Sequence, residues 1–201
     1  MVWKMLDSFH RLQDSARGYR FTQILGVPTI RRYRALVRKH VPQDPARRIL
    51  EIGCGVGTAR GLFGAEYTGI DVNPDYIEKA RRAFEGRFEV MDAGSMSFEA
   101  GAFDDAVSIA TAHHLSDEKL SLMIRKAVSV ASCLHIIDAI LPVARFSPFK
   151  TALFRMDRGQ HVRAFGQLRD IVERNGSLEA EEVMEGPLHD VGYFRVRRRP
   201  H

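Results

Sequence analysis

Apolar residues follow two spacings along the chain, a helical one near the amino terminus and an alternating pattern of strands and helices after it. One helical face is apolar in two stretches: Trp3, Leu6 and Phe9, then Ile30, Tyr33, Val37 and Val41. A proline at position 42 cannot continue the second stretch. We therefore predict an amino-terminal helical cap over residues 1–41.

The middle of the chain, residues 47–138, alternates short apolar runs with amphipathic segments. The runs predict strands near 47–52, 67–71, 87–91, 103–109 and 133–138. The segments between them predict helices near 58–63, 74–84 and 117–130. This alternation predicts an α/β, doubly wound fold, in which helices cover both faces of a parallel sheet and the crossovers are right-handed.

The last third of the chain departs from this alternation before it closes the fold. Residues 139–163 have no clean period and are rich in prolines and phenylalanines, so they are predicted as a lid or acceptor insertion. A helix near 164–175 follows, and residues 177–184 and 191–198 are typical of a closing pair of strands. Because no linker interrupts the pattern, we predict a single domain over residues 1–201, with a cofactor-binding core at 47–138.

A glycine-rich turn follows the first strand of the core. Gly53, Gly55 and Gly57 come directly after the apolar run at 49–52, and the second strand stops on Asp71. Glycine is needed where the backbone adopts positive φ or passes close to a ligand. An acid at the tip of the neighbouring strand can accept hydrogen bonds from both hydroxyls of a ribose. Together these features predict a nucleoside-binding site.

The spacing of the glycines distinguishes between nucleoside ligands. A dinucleotide fingerprint is G-x-G-x-x-G, but here the third glycine comes one residue early, at Gly57, and Thr58 stands in the last position. The pattern E-x-G-x-G-x-G at residues 51–57, with G-I-D at 69–71, resembles motif I and its successor in the class I S-adenosylmethionine-dependent methyltransferases. The resemblance implies a Rossmann-like sheet of seven strands, mostly parallel with an antiparallel last strand. It also implies S-adenosylmethionine as cofactor and S-adenosylhomocysteine as product, without a metal.

By this resemblance the following residues form the cofactor site: Glu51, Gly53, Cys54, Gly55, Gly57, Asp71, Val72, Asp92, Ala93, Ala110 and Thr111. The glycines would line the methionine part, and the strand-tip acid Asp71 would bind the ribose. Asp92 would accept from the adenine amino group, and the pair at 110–111 would pass close to the methionyl group. Glu51 would orient the turn, directly or through water. The alternatives are that Asp71 caps a helix and that Asp92 makes a turn. Cys54 could also be a nucleophile, but a small residue tolerated inside the turn is the favoured interpretation.

The catalytic group is less well defined by the sequence. Methyl transfer is an in-line displacement that alignment of the reactants alone can accelerate strongly, so a general base is optional. The candidates for a base are His113 and His114, just after strand four, and His161, which follows the insertion. Paired histidines at this place also occur in the family without being catalytic. His135 is predicted to be a satisfied core residue, and adjacent histidines are weak evidence for zinc.

The segment around His161 also bears on the methyl acceptor. Residues 157–163 resemble a D-R-G-x-x-x-R segment of small bacterial methyltransferases, and Arg158 or Arg163 would hold an anionic acceptor or brace the lid through an Asp–Arg pair. The D/N-P-P-Y/F motif is missing, which argues against DNA adenine, glutamine and many ribosomal RNA targets.

Composition narrows the class of protein further. The net charge is +5, but the arginines are scattered, so nucleic acid is an unlikely partner. The two cysteines make no disulfide framework, the amino terminus does not resemble a signal peptide, and the apolar region at 127–144 is broken by polar residues. These features predict a cytoplasmic location without a transmembrane segment.

The sequence therefore predicts a methyltransferase that acts on an oxygen or nitrogen atom of a small-molecule or lipid-like acceptor. An RNA methyltransferase and a non-catalytic cofactor-binding partner of a larger complex are the alternatives. A nicotinamide oxidoreductase is disfavoured by Thr58. The oligomeric state is left open.

Overall fold

A computed structural model of the chain describes residues 30–64, 66–142, 161–186 and 190–200. The predicted helices before residue 30 and the aromatic stretch at 143–160, with Arg158, lie outside the described residues. The division of the chain into cap, core and insertion therefore stays a prediction.

The centre of the fold is a seven-stranded sheet. Its strands are β1 (Ile49–Ile52), β2 (Tyr67–Asp71), β3 (Arg87–Val90), β4 (Phe103–Ile109), β5 (Ala131–Ile140), β6 (Ser177–Met184) and β7 (Asp190–Arg197). The strands lie in the order β3-β2-β1-β4-β5-β7-β6. The first five strands pair in parallel, whereas β7 runs antiparallel to both β5 and β6. The predicted α/β sheet with an antiparallel last strand is confirmed.

Helices cover both faces of this sheet. They are α1 (residues 30–40), α2 (Pro74–Ala83), α3 (Asp117–Val130) and α4 (Phe165–Asn175). Successive residues of β1 belong to opposite cores: Leu50 packs in the core that α3 and α4 cover, and Ile49 in the core that α1 and α2 cover. A strand buried on both faces is apolar at most positions, which explains the short apolar runs in the sequence, and Glu51 is the exception in β1.

The helix predicted near 58–63 is wrong. In its place the structure has turns and a short 3-10 helix, Arg60–Leu62. The Arg60 guanidinium donates to the carbonyl oxygens of Phe63 and Gly64, which draws the chain into a turn. A Cβ at Gly64 would lie 2.6 Å from the Cα of Pro45, so the backbone passes too closely there for a side chain. Gly61 within this stretch and Gly64 just after it also weaken a helix.

The topology determines where a ligand can bind. In an open α/β sheet the ligand site lies at the carboxyl ends of the parallel strands, where the strand order reverses. Here the reversal falls between β1 and β4, which are neighbours in the sheet but not in the sequence. The chain that follows these strands therefore forms the candidate site.

Candidate cofactor site

The turn after β1 requires glycine at three positions. Gly53, Gly55 and Gly57 all have positive φ, at 74°, 54° and 81°. A Cβ at Gly53 would lie 2.3 Å from the Oγ1 atom of Thr111, whereas one at Gly55 would meet no atom within 4 Å. The backbone at Gly53 is thus closely packed, and at Gly55 it borders open space. A ligand can approach the main chain there, as the sequence predicts for the methionine part of the cofactor.

Asp71 lies at the tip of β2 and contacts this turn directly. Its Oδ2 accepts a hydrogen bond from the Gly55 amide, and its Oδ1 accepts one from the Asn73 amide, both at 2.9 Å. The cap of α2 is Asn73, whose side chain accepts from the amides of Asp75 and Tyr76. Asp71 is therefore not the helix cap that the sequence left open as an alternative. Each carboxylate oxygen has a second lone pair, so Asp71 can accept further hydrogen bonds from a ligand.

Apolar side chains are exposed on both sides of Asp71. Val72 follows Asp71 and is 68% exposed. Val90, the register partner of Asp71 on β3, is 50% exposed. The exposed Asp92 follows β3, and its Oδ1 accepts from the Gly94 amide at 2.8 Å. This is the turn that the sequence allowed for Asp92, and it leaves the carboxylate next to Ala93 at the edge of the sheet. The arrangement suits a flat ring lying between apolar side chains.

The end of β4 completes the opposite wall of the turn. Ala110 has a φ of +52°, which is rare for a residue other than glycine, and its amide donates to the carbonyl of Ile137 at 2.9 Å. The hydroxyl of Thr111 lies 3.1 Å from the Ile109 carbonyl and 3.4 Å from that of Gly53. The last contact places Thr111 against the glycine turn, and the position of residues 110–111 next to the methionyl group stays a prediction.

Glu51 is buried beneath the turn. Its Oε2 accepts from the Tyr67 hydroxyl at 2.5 Å. Burial raises the pKa of this carboxyl to about 7, and the nearby charge of Asp71 adds to the effect. Its described partner is thus a phenol, and the contact with the turn that the sequence allowed stays a prediction. Burial also raises the pKa of the Cys54 thiol to about 12, which makes Cys54 a poor nucleophile at neutral pH.

His113 and the buried Asp138 form a close pair where β4 and β5 end. The Nδ1 atom of His113 lies 2.5 Å from Oδ1 of Asp138, and the His113 amide donates to Oδ2 at 3.1 Å. The Ala139 amide also donates to Oδ1, at 2.7 Å. An ionised carboxylate only accepts hydrogen bonds, so Nδ1 of His113 carries a proton. The sequence ended the fifth strand at Asp138, whereas β5 continues to Ile140, and it did not predict the pairing of Asp138 with His113.

The other two candidate histidines lie next to this pair. The exposed ring of His114 has its centroid 4.0 Å from that of His113. The amide of His161 donates to the carbonyl of His113 at 3.0 Å. The fold therefore brings together all three histidines that the sequence put forward as bases.

Arg163 anchors the segment around His161 to the core. Its guanidinium donates to the carbonyls of Ala112, Leu115 and His161, and to Oδ1 of Asp117 at 2.7 Å. The residue is only 7% exposed. A guanidinium with these partners holds two chain segments together. This favours the bracing role of Arg163 over binding of an anionic acceptor, and the acid of the pair is Asp117.

Comparisons with known proteins agree with this geometry. Residues 49–132 match the family model described as a methyltransferase domain. Chloroplastic tocopherol O-methyltransferase of Arabidopsis thaliana is 30% identical over 137 residues, which cover 63% of this chain and 38% of that protein. The 18S rRNA (guanine-N(7))-methyltransferase of Mus musculus is 31% identical over 109 residues, which cover 51% of this chain and 39% of that protein.

The fold also matches solved structures. A SAM-dependent methyltransferase from Methanosarcina mazei superposes with a TM-score of 0.65 at 18% identity, over 81% of this chain and 97% of that one. Residues 49–132 thus match a methyltransferase domain, and the sheet order gives the chain the Rossmann-like fold of this structural neighbour. The chain spans about two fifths of the length of the two curated relatives described above. Among the described residues, no helix is long and apolar enough to cross a membrane.

Proposed function

We propose that this protein transfers the methyl group of S-adenosylmethionine to an oxygen or nitrogen atom of a small-molecule or lipid-like acceptor. The observation that carries the proposal is the contact between Asp71 and Gly55. Oδ2 of Asp71, the proposed ribose-binding acid, accepts a hydrogen bond from the amide of Gly55, and Gly55 borders open space. This contact holds the glycine turn and the acid next to each other, as a nucleoside site requires. A backbone that a Cβ would not obstruct and an acid at the next strand tip fit this cofactor.

The residues around this contact would bind the rest of the cofactor. Gly53, Gly55 and Gly57 line the methionine part and Asp71 accepts from the ribose hydroxyls. The adenine ring lies against Val72, beside Asp92 and Ala93. Ala110 and Thr111 hold the β4 side of the site against the turn, next to the methionyl group.

His113 is the group best supported as a base. When bound, the cofactor supplies a methyl group on a sulfonium and leaves as S-adenosylhomocysteine. The chain's own contribution is to hold the acceptor in line and to take its proton where the acceptor carries one. Asp138 lies 2.5 Å from Nδ1 of His113 and so orients this ring at the end of β4. His114 and His161 are the alternative bases, since both lie next to His113.

Acids neutralise part of the positive charge of the chain, which favours a small acceptor over RNA. Four described arginines form ion pairs: Arg47 with Asp105, Arg48 with Asp104, Arg163 with Asp117 and Arg169 with Glu173. Nucleic-acid binding depends on cations that are available to phosphates. An RNA acceptor, suggested by the name of the rRNA methyltransferase relative, is the second candidate. A role as a non-catalytic partner is the third.

The ribose assignment can be tested with Asp71→Asn. The amide side chain keeps one acceptor oxygen for the turn but removes the charge that strengthens hydrogen bonds to the ribose. Loss of one charge-assisted bond costs about 1.5–3 kcal/mol, or about a 10- to 100-fold weaker dissociation constant for S-adenosylmethionine in calorimetry. Asp75→Asn removes an exposed charge four residues away and should leave the affinity within about twofold. Equal affinities of the two variants would contradict the assignment.

A further inference from the structure

A second polar cluster lies inside the fold, away from the carboxyl ends of the strands. Asp105 on β4 is the register partner of Cys133 on β5, and His135 follows two residues later on the same face. The three residues are 1%, 6% and 1% exposed. Their ligand atoms all lie within 4.8 Å of one another. The cluster is nearer the amino-terminal ends of β4 and β5, so it is separate from the candidate cofactor site.

We propose that Asp105, Cys133 and His135 bind a divalent cation of the zinc type. A carboxylate oxygen, a thiolate sulfur and an imidazole nitrogen are the three ligand types that Zn²⁺ takes in proteins. A tetrahedral ion with bonds of about 2.0–2.1 Å holds its oxygen and nitrogen ligands about 3.3 Å apart. In the structure Oδ1 of Asp105 and Nε2 of His135 form a hydrogen bond at 3.2 Å, so an ion that replaced this bond would need little movement of either side chain.

Neighbouring groups orient two of the three ligands. The Nδ1 atom of His135 lies 3.1 Å from the Tyr193 hydroxyl, which leaves Nε2 facing Asp105. The other oxygen of Asp105, Oδ2, accepts from Nε of Arg47 at 2.6 Å. Partners on the far side of a histidine and of a carboxylate are the usual outer shell of a metal site, because they fix the ligand atom that faces the ion. Arg47 is about one-third exposed and marks the side nearest the solvent.

The proposed site has two anionic ligands. When an ion binds, the S–H bond of the buried Cys133 breaks, the sulfur–metal bond forms, and the proton goes to solvent. The thiolate and the Asp105 carboxylate then offset the two charges of the ion, and Arg47, which donates to Asp105, adds one positive charge on the outer side. The ion joins β4 to β5, and through His135 and Tyr193 to β7, so its role is to stabilise the centre of the sheet.

The test uses cobalt as a spectroscopic substitute for zinc. The untagged protein is treated with a chelator, dialysed and titrated with CoCl₂, and the near-ultraviolet cobalt–thiolate absorption is followed. We expect this absorption to saturate at about one equivalent and ZnSO₄ to displace it. The control is Cys54→Ser, since Cys54 is the other cysteine of the chain and lies in the glycine turn. Cys133→Ser should lose the absorption and Cys54→Ser should keep it.

The same variants separate the metal site from the proposed enzymatic function. ZnSO₄ should raise the midpoint of thermal unfolding in wild type and in Cys54→Ser, but not in Cys133→Ser. S-adenosylmethionine binding by Cys133→Ser should match that of wild type, because the cluster lies away from the turn. Absence of cobalt–thiolate absorption in wild type would overturn the proposal. An equal loss in both serine variants would also overturn it.

Discussion

The burial of the Glu51 carboxyl predicts how the stability of the protein depends on pH, independently of catalysis. Glu51 is 3% exposed, and burial raises its pKa from an ordinary value of 4.5 to about 7. A group whose pKa is higher in the folded state stabilises the fold fully below its unfolded pKa. That contribution is lost as pH rises through the folded pKa. For Glu51 the loss therefore falls between pH 4.5 and about 7.

The size of the effect follows from the pKa difference. At 1.36 kcal/mol per pH unit, the rise from 4.5 to about 7 corresponds to about 3 kcal/mol. Glu51→Gln removes the titration and keeps an acceptor oxygen for the Tyr67 hydroxyl, which donates to Glu51 at 2.5 Å. We expect wild type and variant to have similar stability near pH 4.5. Above about pH 7 the variant should be more stable by about 3 kcal/mol.

The assay is urea unfolding followed by circular dichroism between pH 4.5 and 8.5. Other titrating groups change both proteins alike, so the informative quantity is the difference in the free energy of unfolding at each pH. This difference should grow as pH rises and level off above about 7. A difference that stays constant across the range would refute the argument that Glu51 is buried without a compensating charge.

Three further predictions concern the turn and the elements around it. Gly53→Ala should destabilise the protein by about 1–3 kcal/mol in urea unfolding, because φ is +74° and Thr111 blocks the Cβ. Gly61→Ala, where a Cβ would meet open space, should be near neutral. Equal effects of the two substitutions would contradict this. Arg163→Met should cost about 2–5 kcal/mol by leaving buried carbonyls unpaired, and an exposed control, Arg169→Met, should cost less than about 1 kcal/mol. Asp138→Asn should lower the population of the Nδ1-protonated ring in ¹⁵N spectra of His113, and unchanged ring shifts would argue against the pair.

The elements that position the site were predictable from local pattern. All four residues of Ile49–Ile52 are buried, so the apolar run and the glycines after it mark the strand and the turn. The tip acid Asp71 could be predicted because strand length and sheet order place it beside the turn. The helix predicted near 58–63 was wrong because the observed turn depends on hydrogen bonds from the Arg60 side chain and on the close approach of Gly64 to the Pro45 backbone, which a periodicity argument does not include.

The remaining features depend on which strands are neighbours. His113 and Asp138 are 25 residues apart and meet because β4 and β5 pair in parallel. Arg163 reaches Asp117 across 46 residues for a similar reason. Sequence spacing carries no signal for such pairs. A partial signal existed for Asp138, since an acid at the end of a buried strand must find a partner.

The central claim is that the turn and Asp71 bind S-adenosylmethionine. Its most direct test is calorimetric titration of the purified protein with S-adenosylmethionine, with NADH as a parallel titrant. We predict a dissociation constant in the micromolar range for S-adenosylmethionine and no measurable heat of binding for NADH. Failure to bind S-adenosylmethionine, or a preference for NADH, would contradict the account and leave only the fold standing.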